Sequence, residues 1–276
     1  MPTIASDHER RRGWKKRIGT AVALGVLAAL ALAARMPAGS AGGQDSLIQG
    51  LQAGLKSLQA GMNAWDPIQF LAARDQFLGL LVMQKEPAKI YPYYAGLADF
   101  RLATYYLATG NSAEAGRFAE EGERYFEMAA QSDPKFAEAL ALQGYLLGLE
   151  AALHPDEAMN YGMKSMEYLN RGLALEPDNP RIHYLNGSYL LYVPEAYGGG
   201  ADRAIEALAK AAALFEKESA PDPLKPSWGK DETLTYLGMA YAKKNDSARA
   251  RECFHKALAV NPSFGLAKSE LAKIEK

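Results

Sequence analysis

Residues 231–264 read DETLTYLGMAYAKKNDSARARECFHKALAVNPSF, and the spacing inside this stretch decides the fold. Leu237-Gly238 is followed by Tyr241, Ala250, Phe254, Ala257 and Pro262, at positions 7, 8, 11, 20, 24, 27 and 32 of a 34-residue unit. Small residues at positions 8, 20 and 27 let two helices approach closely, and Tyr241 and Phe254 fill the space between them. Pro262 cannot continue a helix, so it ends the second helix and opens whatever follows.

The second half of this pattern recurs upstream. Gly122, Phe126, Ala129 and Pro134 keep the spacing, as do Ser165, Leu169, Gly172 and Pro177. Ala204, Leu208 and Ala211 follow without the proline, and Ala73 with Phe77 forms a weaker first copy. The five small-residue positions are separated by 49, 43, 39 and 46 residues, so the units carry insertions. Asp66-Pro67 and Asn179-Pro180 each set a capping side chain before a proline at the first helical position. The pattern predicts helices near 44–62, 66–84, 89–109, 112–131, 135–152, 156–175, 180–192, 201–217, 231–244 and 247–259. A last helix at 263–275, with Lys268, Glu270, Lys273 and Glu275, would cover the final apolar face.

Residues 231–264 resemble the tetratricopeptide repeat, and residues 112–217 carry good partial copies of it. The resemblance implies an all-α fold, a right-handed superhelical solenoid of antiparallel helix pairs with a C-terminal capping helix. It also implies a protein that binds other molecules and does not transform them. In such arrays the first helix of each unit lines a concave groove, chiefly through positions 2, 5, 9, 12 and 13. Carried onto this chain, the groove candidates are Glu138 and Tyr145, then Arg181, Tyr184, Ser188 and Tyr192, then Glu232, Thr235, Met239 and Lys243. Some family members hold a partner's C-terminal carboxylate with Lys at position 5 and Asn at 9. Those positions here are Ala141/Tyr145, Tyr184/Ser188 and Thr235/Met239, so that mode is not expected. The tyrosines suit a protein or peptide partner, or a small organic ligand, and equally suit packing between helices.

The N-terminus indicates the destination. Arg10, Arg11, Arg12, Lys15, Lys16 and Arg17 precede an uncharged run from Ile18 to Ala34, and Gly39, Ser40 and Ala41 follow. This is the layout of a secretory signal peptide cleaved before Gly42. The rival reading is an uncleaved anchor, since the run is at the short limit for spanning a bilayer. Residues 1–41 are therefore a signal peptide or membrane anchor, and 42–276 a solenoid domain. The expected location is the periplasm, free or tethered to the inner membrane, with membrane contact only through the N-terminal segment. The segment beyond residue 41 holds 24 basic against 30 acidic residues, a balance that disfavours nucleic acid.

Chemistry-bearing motifs are not found. The histidines, His8, His154, His183 and His255, form no metal-binding spacing, and no nucleophile elbow or phosphate-loop sequence occurs. No enzyme activity, cofactor or metal is expected. Cys253, the single cysteine, stands beside Phe254 and reads as a small core side chain. One segment departs from the repeat: Gly187 and Ala204 are seventeen residues apart where the unit needs twelve, which puts an insertion at Tyr192-Val-Pro-Glu-Ala-Tyr-Gly-Gly-Gly-Ala201. Its glycines suit a long turn with left-handed backbone angles, or a loop cradling an anion before the next helix. This turn, with the linker Ala220-Pro-Asp-Pro-Leu-Lys-Pro-Ser-Trp-Gly229, resembles a recurring subtype of bacterial exported repeat proteins. The functional expectation is a non-catalytic interaction scaffold in the periplasm or at the cell envelope. The alternative is a small-ligand-binding accessory component of a solute transport system.

Overall fold

The computed structural model describes residues 43–83, 89–218 and 226–275; the expected signal peptide or anchor at 1–41 lies outside them. The described residues form eleven α-helices and no strand. They are α1 (Gly43–Ala64), α2 (Pro67–Met83), α3 (Ile90–Ala108), α4 (Ser112–Ser132), α5 (Ala137–Leu153), α6 (Ala158–Leu175), α7 (Pro180–Tyr192), α8 (Ala201–Phe215), α9 (Lys230–Lys243), α10 (Ser247–Val260) and α11 (Gly265–Ile274). Every one lies within two residues of the helix expected from the sequence. Several ends are set by local side chains. Asn111 accepts from the Glu114 amide, Asn179 from that of Arg181, and Asp246 from that of Arg249.

Consecutive helices pack as antiparallel pairs, α1/α2 to α9/α10, and the odd-numbered helices from α3 to α11 stack on one another along the interior. Burial separates the two rows. In α3 every residue from Ile90 to Ala103 is buried, as expected of a helix that is apolar nearly all round. Its pair-mate α4 buries only Ala115, Phe118, Ala119, Gly122, Phe126 and Ala129, a single stripe at three- and four-residue spacing.

One contact repeats in each pair and explains the sequence signature. A Cβ placed on Gly54 would stand 2.4 Å from the Phe77 ring, on Gly96 2.8 Å from Phe126, on Gly187 2.6 Å from Leu208, and on Gly238 2.5 Å from Phe254. In the remaining pair a Cβ on Gly144 would stand 2.9 Å from the Ser165 carbonyl and 3.0 Å from the Leu169 nitrogen. The glycine of one helix thus receives the large side chain, or the backbone, of the next. The structure completes the two N-terminal units, where the sequence shows only fragments.

The row closes on itself. The last helix, α11, packs against α1. Asn261 Nδ2 donates to Asn63 Oδ1 at 2.8 Å, and a Cβ on Gly265 would stand 2.8 Å from the Asn63 carbonyl oxygen. The inserted turn at 193–200 is an ordinary connector: Gly198 and Gly200 take φ of 85° and 102°, the left-handed angles expected there. The Gly200 amide donates to the Leu190 carbonyl at 2.9 Å, folding the turn back onto α7.

Candidate binding site

The ten groove candidates do share one surface, the inner faces of α5, α7 and α9, but that surface is not an open groove. Glu138, Arg181, Tyr184, Ser188, Glu232 and Thr235 are buried. Tyr145 and Met239 are half-buried, and Tyr192 and Lys243 are exposed. The reason is a set of partners that come from distant parts of the chain. Arg101, on α3, meets Glu232, on α9, through both terminal nitrogens at 2.6 and 2.7 Å. Tyr184 donates its hydroxyl to the same carboxylate at 3.0 Å. Glu138 accepts from the Tyr93 hydroxyl at 2.8 Å and from Asn179 Nδ2 at 2.9 Å, beside Arg181. Trp228 closes the gap by donating its indole N–H to the Tyr93 hydroxyl at 2.7 Å, with the Arg101 guanidinium 5.1 Å from its ring centroid. Buried charges require such partners.

The electrostatics follow from that packing. Burial raises the Glu138 and Glu232 carboxyls above their ordinary value, while Arg181 and Arg101 pull them back down. Burial also pushes the Tyr93, Tyr184 and Tyr236 hydroxyls well above theirs, so these phenols remain donors. His183 is a packed side chain whose Nε2 lies 2.7 Å from the Pro177 carbonyl oxygen. Cys253 is buried, its thiol pushed up to about 11 by desolvation, which leaves a poor nucleophile. Among the described residues, no group of three or more His, Cys, Asp or Glu side chains could hold a metal ion, and no helix is long and apolar enough to cross a membrane.

Two accessible features remain, at opposite ends of α9. At its C-terminal end Tyr192 is 63% exposed, on the same lip as Met239 and Lys243, whose Nζ donates to the Leu191 carbonyl at 2.9 Å. At its N-terminal end lies a cleft of about 360 Å³. Its walls are Leu55, Leu58 and Met62 of α1, Tyr94 and Arg101 of α3, the segment Ser227–Gly229 with the first turn of α9, and Val260-Asn261. Sequence reasoning missed Arg101 and Trp228. The signal available for Arg101 was the pair of charged residues, Asp99 and Arg101, inside the otherwise uncharged stretch IYPYYAGLADFRLATYYLA.

The sequence model of the tetratricopeptide repeat matches residues 232–264. These residues are a tetratricopeptide repeat. The described helices as a whole form a solenoid of the tetratricopeptide type, as solved structures also show. The HusA haemophore from Porphyromonas gingivalis superposes with a TM-score of 0.59 at 22% identity, covering 72% of this chain and 92% of its own. TTC0263, a thermophilic tetratricopeptide protein of Thermus thermophilus, gives 0.51 at 16% identity, covering 80% of this chain and 98% of its own. At such identities the likeness is one of fold alone. No curated protein sequence matches the chain. The tetratricopeptide architecture accounts for the helix pairs and their glycine locks, while the closure of α11 onto α1 is read from the contacts between these two helices.

Proposed function

We propose that the protein is an exported, non-catalytic binding scaffold that engages a protein or peptide in the periplasm or at the cell envelope. The observation that carries this reading is the tetratricopeptide solenoid itself, an architecture used to present a rigid surface to partners. The basic flank and apolar run of residues 10–34 support export. Of the ten groove candidates, the accessible ones sit at the C-terminal ends of α7 and α9, so the partner's anchor point is the lip formed by Tyr192, Met239 and Lys243. Aromatic side chains at the centre of a contact commonly carry a few kcal/mol of binding energy.

The test has two parts. Cell fractionation with mass spectrometry should find the protein outside the cytoplasm, processed near Ala41 if the leader is cleaved; a full-length cytosolic species refutes export. A partner recovered from envelope extract should then bind the Tyr192→Ala variant at least tenfold more weakly by titration calorimetry. Unchanged affinity refutes the lip as the anchor. A second reading, small-ligand binding, is favoured by the cleft at the other end of α9.

A further inference from the structure

Three of the chain's nine methionines fall within the eight residues from Met159 to Met166 on α6, so they are best read as a group. The helix buries Ser165, Leu169 and Gly172 as a single stripe. The methionines stand off that stripe, at 62%, 60% and 39% exposure for Met159, Met163 and Met166. Burial is the ordinary use of a methionine side chain, and these three do not have it. Their spacing is i, i+4, i+7, which sets them together on one face, with neighbours about 5–6 Å apart at Cβ. The fourth corner of that surface cell, at i+3, is Gly162. A Cβ there would meet nothing nearer than the Tyr189 hydroxyl at 3.9 Å, so the corner is open. Gly144 and Gly238 are each filled by atoms of the next helix, and Gly162 is not. A glycine inside a helix costs about 0.5–1 kcal/mol, and packing does not account for this one.

The surroundings leave the three thioethers as the donors of this cell. The cations of α6, Lys164 and Arg171, fall on the other side of the helix at 3.6 residues per turn, and the Arg171 guanidinium lies 5.1 Å from the Tyr168 ring centroid. His154 is held by Glu150 at 3.1 Å and stacks on Tyr161, which is two residues from Met159 and so faces away from it. Glu167 and Asn170 border the cell one turn beyond Met163 and Met166, and both are exposed. Their oxygens suit hard cations, while the negative charge of Glu167 favours any cation bound beside it. A thioether is soft, uncharged and carries no proton. Soft sulfur ligands select Cu(I), whereas carboxylate and carbonyl oxygens suit magnesium, calcium and manganese.

We propose that Met159, Met163 and Met166 form an all-thioether site for Cu(I) on the outer face of α6, with the open corner at Gly162 giving the ion room. This goes beyond the scaffold reading and does not rest on it, since it needs neither export nor a protein partner.

The test uses the full-length chain, isotope-labelled in its methionine methyl groups. Ag(I) serves as a redox-stable probe for NMR, and Cu(I) in competition with bicinchoninate measures affinity. One equivalent of Ag(I) is expected to shift the methyl signals of Met159, Met163 and Met166 and to leave those of the other methionines in place. Zn(II) should shift none of them. Replacing all three, Met159→Leu, Met163→Leu and Met166→Leu, removes the sulfurs but keeps the face apolar, and the exposure of these positions spares the core. That variant should bind Cu(I) at least about tenfold more weakly. Affinity should not change between about pH 6 and 7.5, because a thioether has no proton to lose, in contrast to histidine or cysteine ligands. No shift with Ag(I), undiminished Cu(I) affinity in the leucine variant, or an affinity that rises with pH would each overturn the assignment; the last two would place the metal on other ligands.

Discussion

Replacing Gly238 and Gly79 by alanine in separate variants isolates the contact on which the whole array is built. Both glycines lie inside helices, Gly238 in α9 and Gly79 in α2, so each substitution gains the same helix preference, ~0.5–1 kcal/mol. The surroundings differ. A Cβ at Gly79 meets nothing within 4 Å, whereas one at Gly238 stands 2.5, 2.8 and 3.0 Å from three carbons of the Phe254 ring. Phe254 is fully buried on α10, between Ala250 and Ala257, and its ring has no solvent into which to swing. Overpacking of this kind costs ~1–3 kcal/mol. Gly79→Ala should therefore stabilise by ~0.5–1 kcal/mol, and Gly238→Ala should fall below it by ~1–3 kcal/mol. At about 2–4 °C per kcal/mol for a domain of this size, the two melting temperatures should separate by about 2–12 °C. Thermal and urea unfolding of both variants beside the parent measure this, with an unchanged urea slope confirming that only stability moved. Two variants of equal stability would show that Gly238 and Phe254 are not in contact, and the repeat register would be wrong.

Two further predictions follow from burial. Tyr184→Ala should cost ~3–5 kcal/mol in urea unfolding, because Tyr184 is 2% exposed and holds Glu232, whereas Tyr192→Ala, at 63% exposure, should stay within about 0.5 kcal/mol. Glu123 has its carboxyl raised to about 7 by burial and by the neighbouring carboxylates of Glu150 and Glu120. A group raised on folding stabilises the protein while protonated and loses that contribution as pH climbs from the ordinary carboxylate range through about 7. Glu123→Gln should therefore flatten the fall in unfolding free energy between acid and mildly alkaline buffer, by on the order of 1 kcal/mol; an unchanged slope in urea unfolding would count against that account.

The elements legible in the sequence were those fixed by local chemistry. Asn111, Asn179 and Asp246 cap the helices that follow them, and Pro67 and Pro180 stand at helix starts, so the boundaries could be read without knowing any tertiary contact. The glycine lock was legible where the spacing was undisturbed, at Gly238 and Phe254. It was hidden at Gly54 with Phe77 and Gly96 with Phe126, where longer helices displaced the partners. The fate of the inner surface was not legible. It depends on how far the array curves, and so on pairs such as Arg101 with Glu232, 131 residues apart, and Tyr93 with Trp228, 135 residues apart. Carrying the family's groove positions onto Glu138, Arg181 and Glu232 picks out one face each of α5, α7 and α9, and only the closed arrangement shows that those faces meet partners from distant helices.

That closure changes what the architecture can do. In an open array each unit touches only its neighbours, stability is close to a sum of nearest-neighbour terms, and the ends fray independently. Here Asn63 and Asn261 join helices 198 residues apart, and the Arg101–Glu232 pair ties the second unit to the fifth. Breaking that pair from one side leaves a buried charge without its partner, at about 3–5 kcal/mol, so α3 and α9 are coupled by more than most single contacts supply. An apolar pair of similar volume could hold the helices as firmly, but it would tolerate sliding; a two-pronged ion pair also receiving the Tyr184 hydroxyl fixes one register. The cleft lies where this register is set. Its walls come from α1, α3, α9 and the end of α10, so it exists only while the first and last units stay together. Any ligand it accepts therefore binds the closed array in preference to the open one, and occupancy and closure are linked by the same free energy.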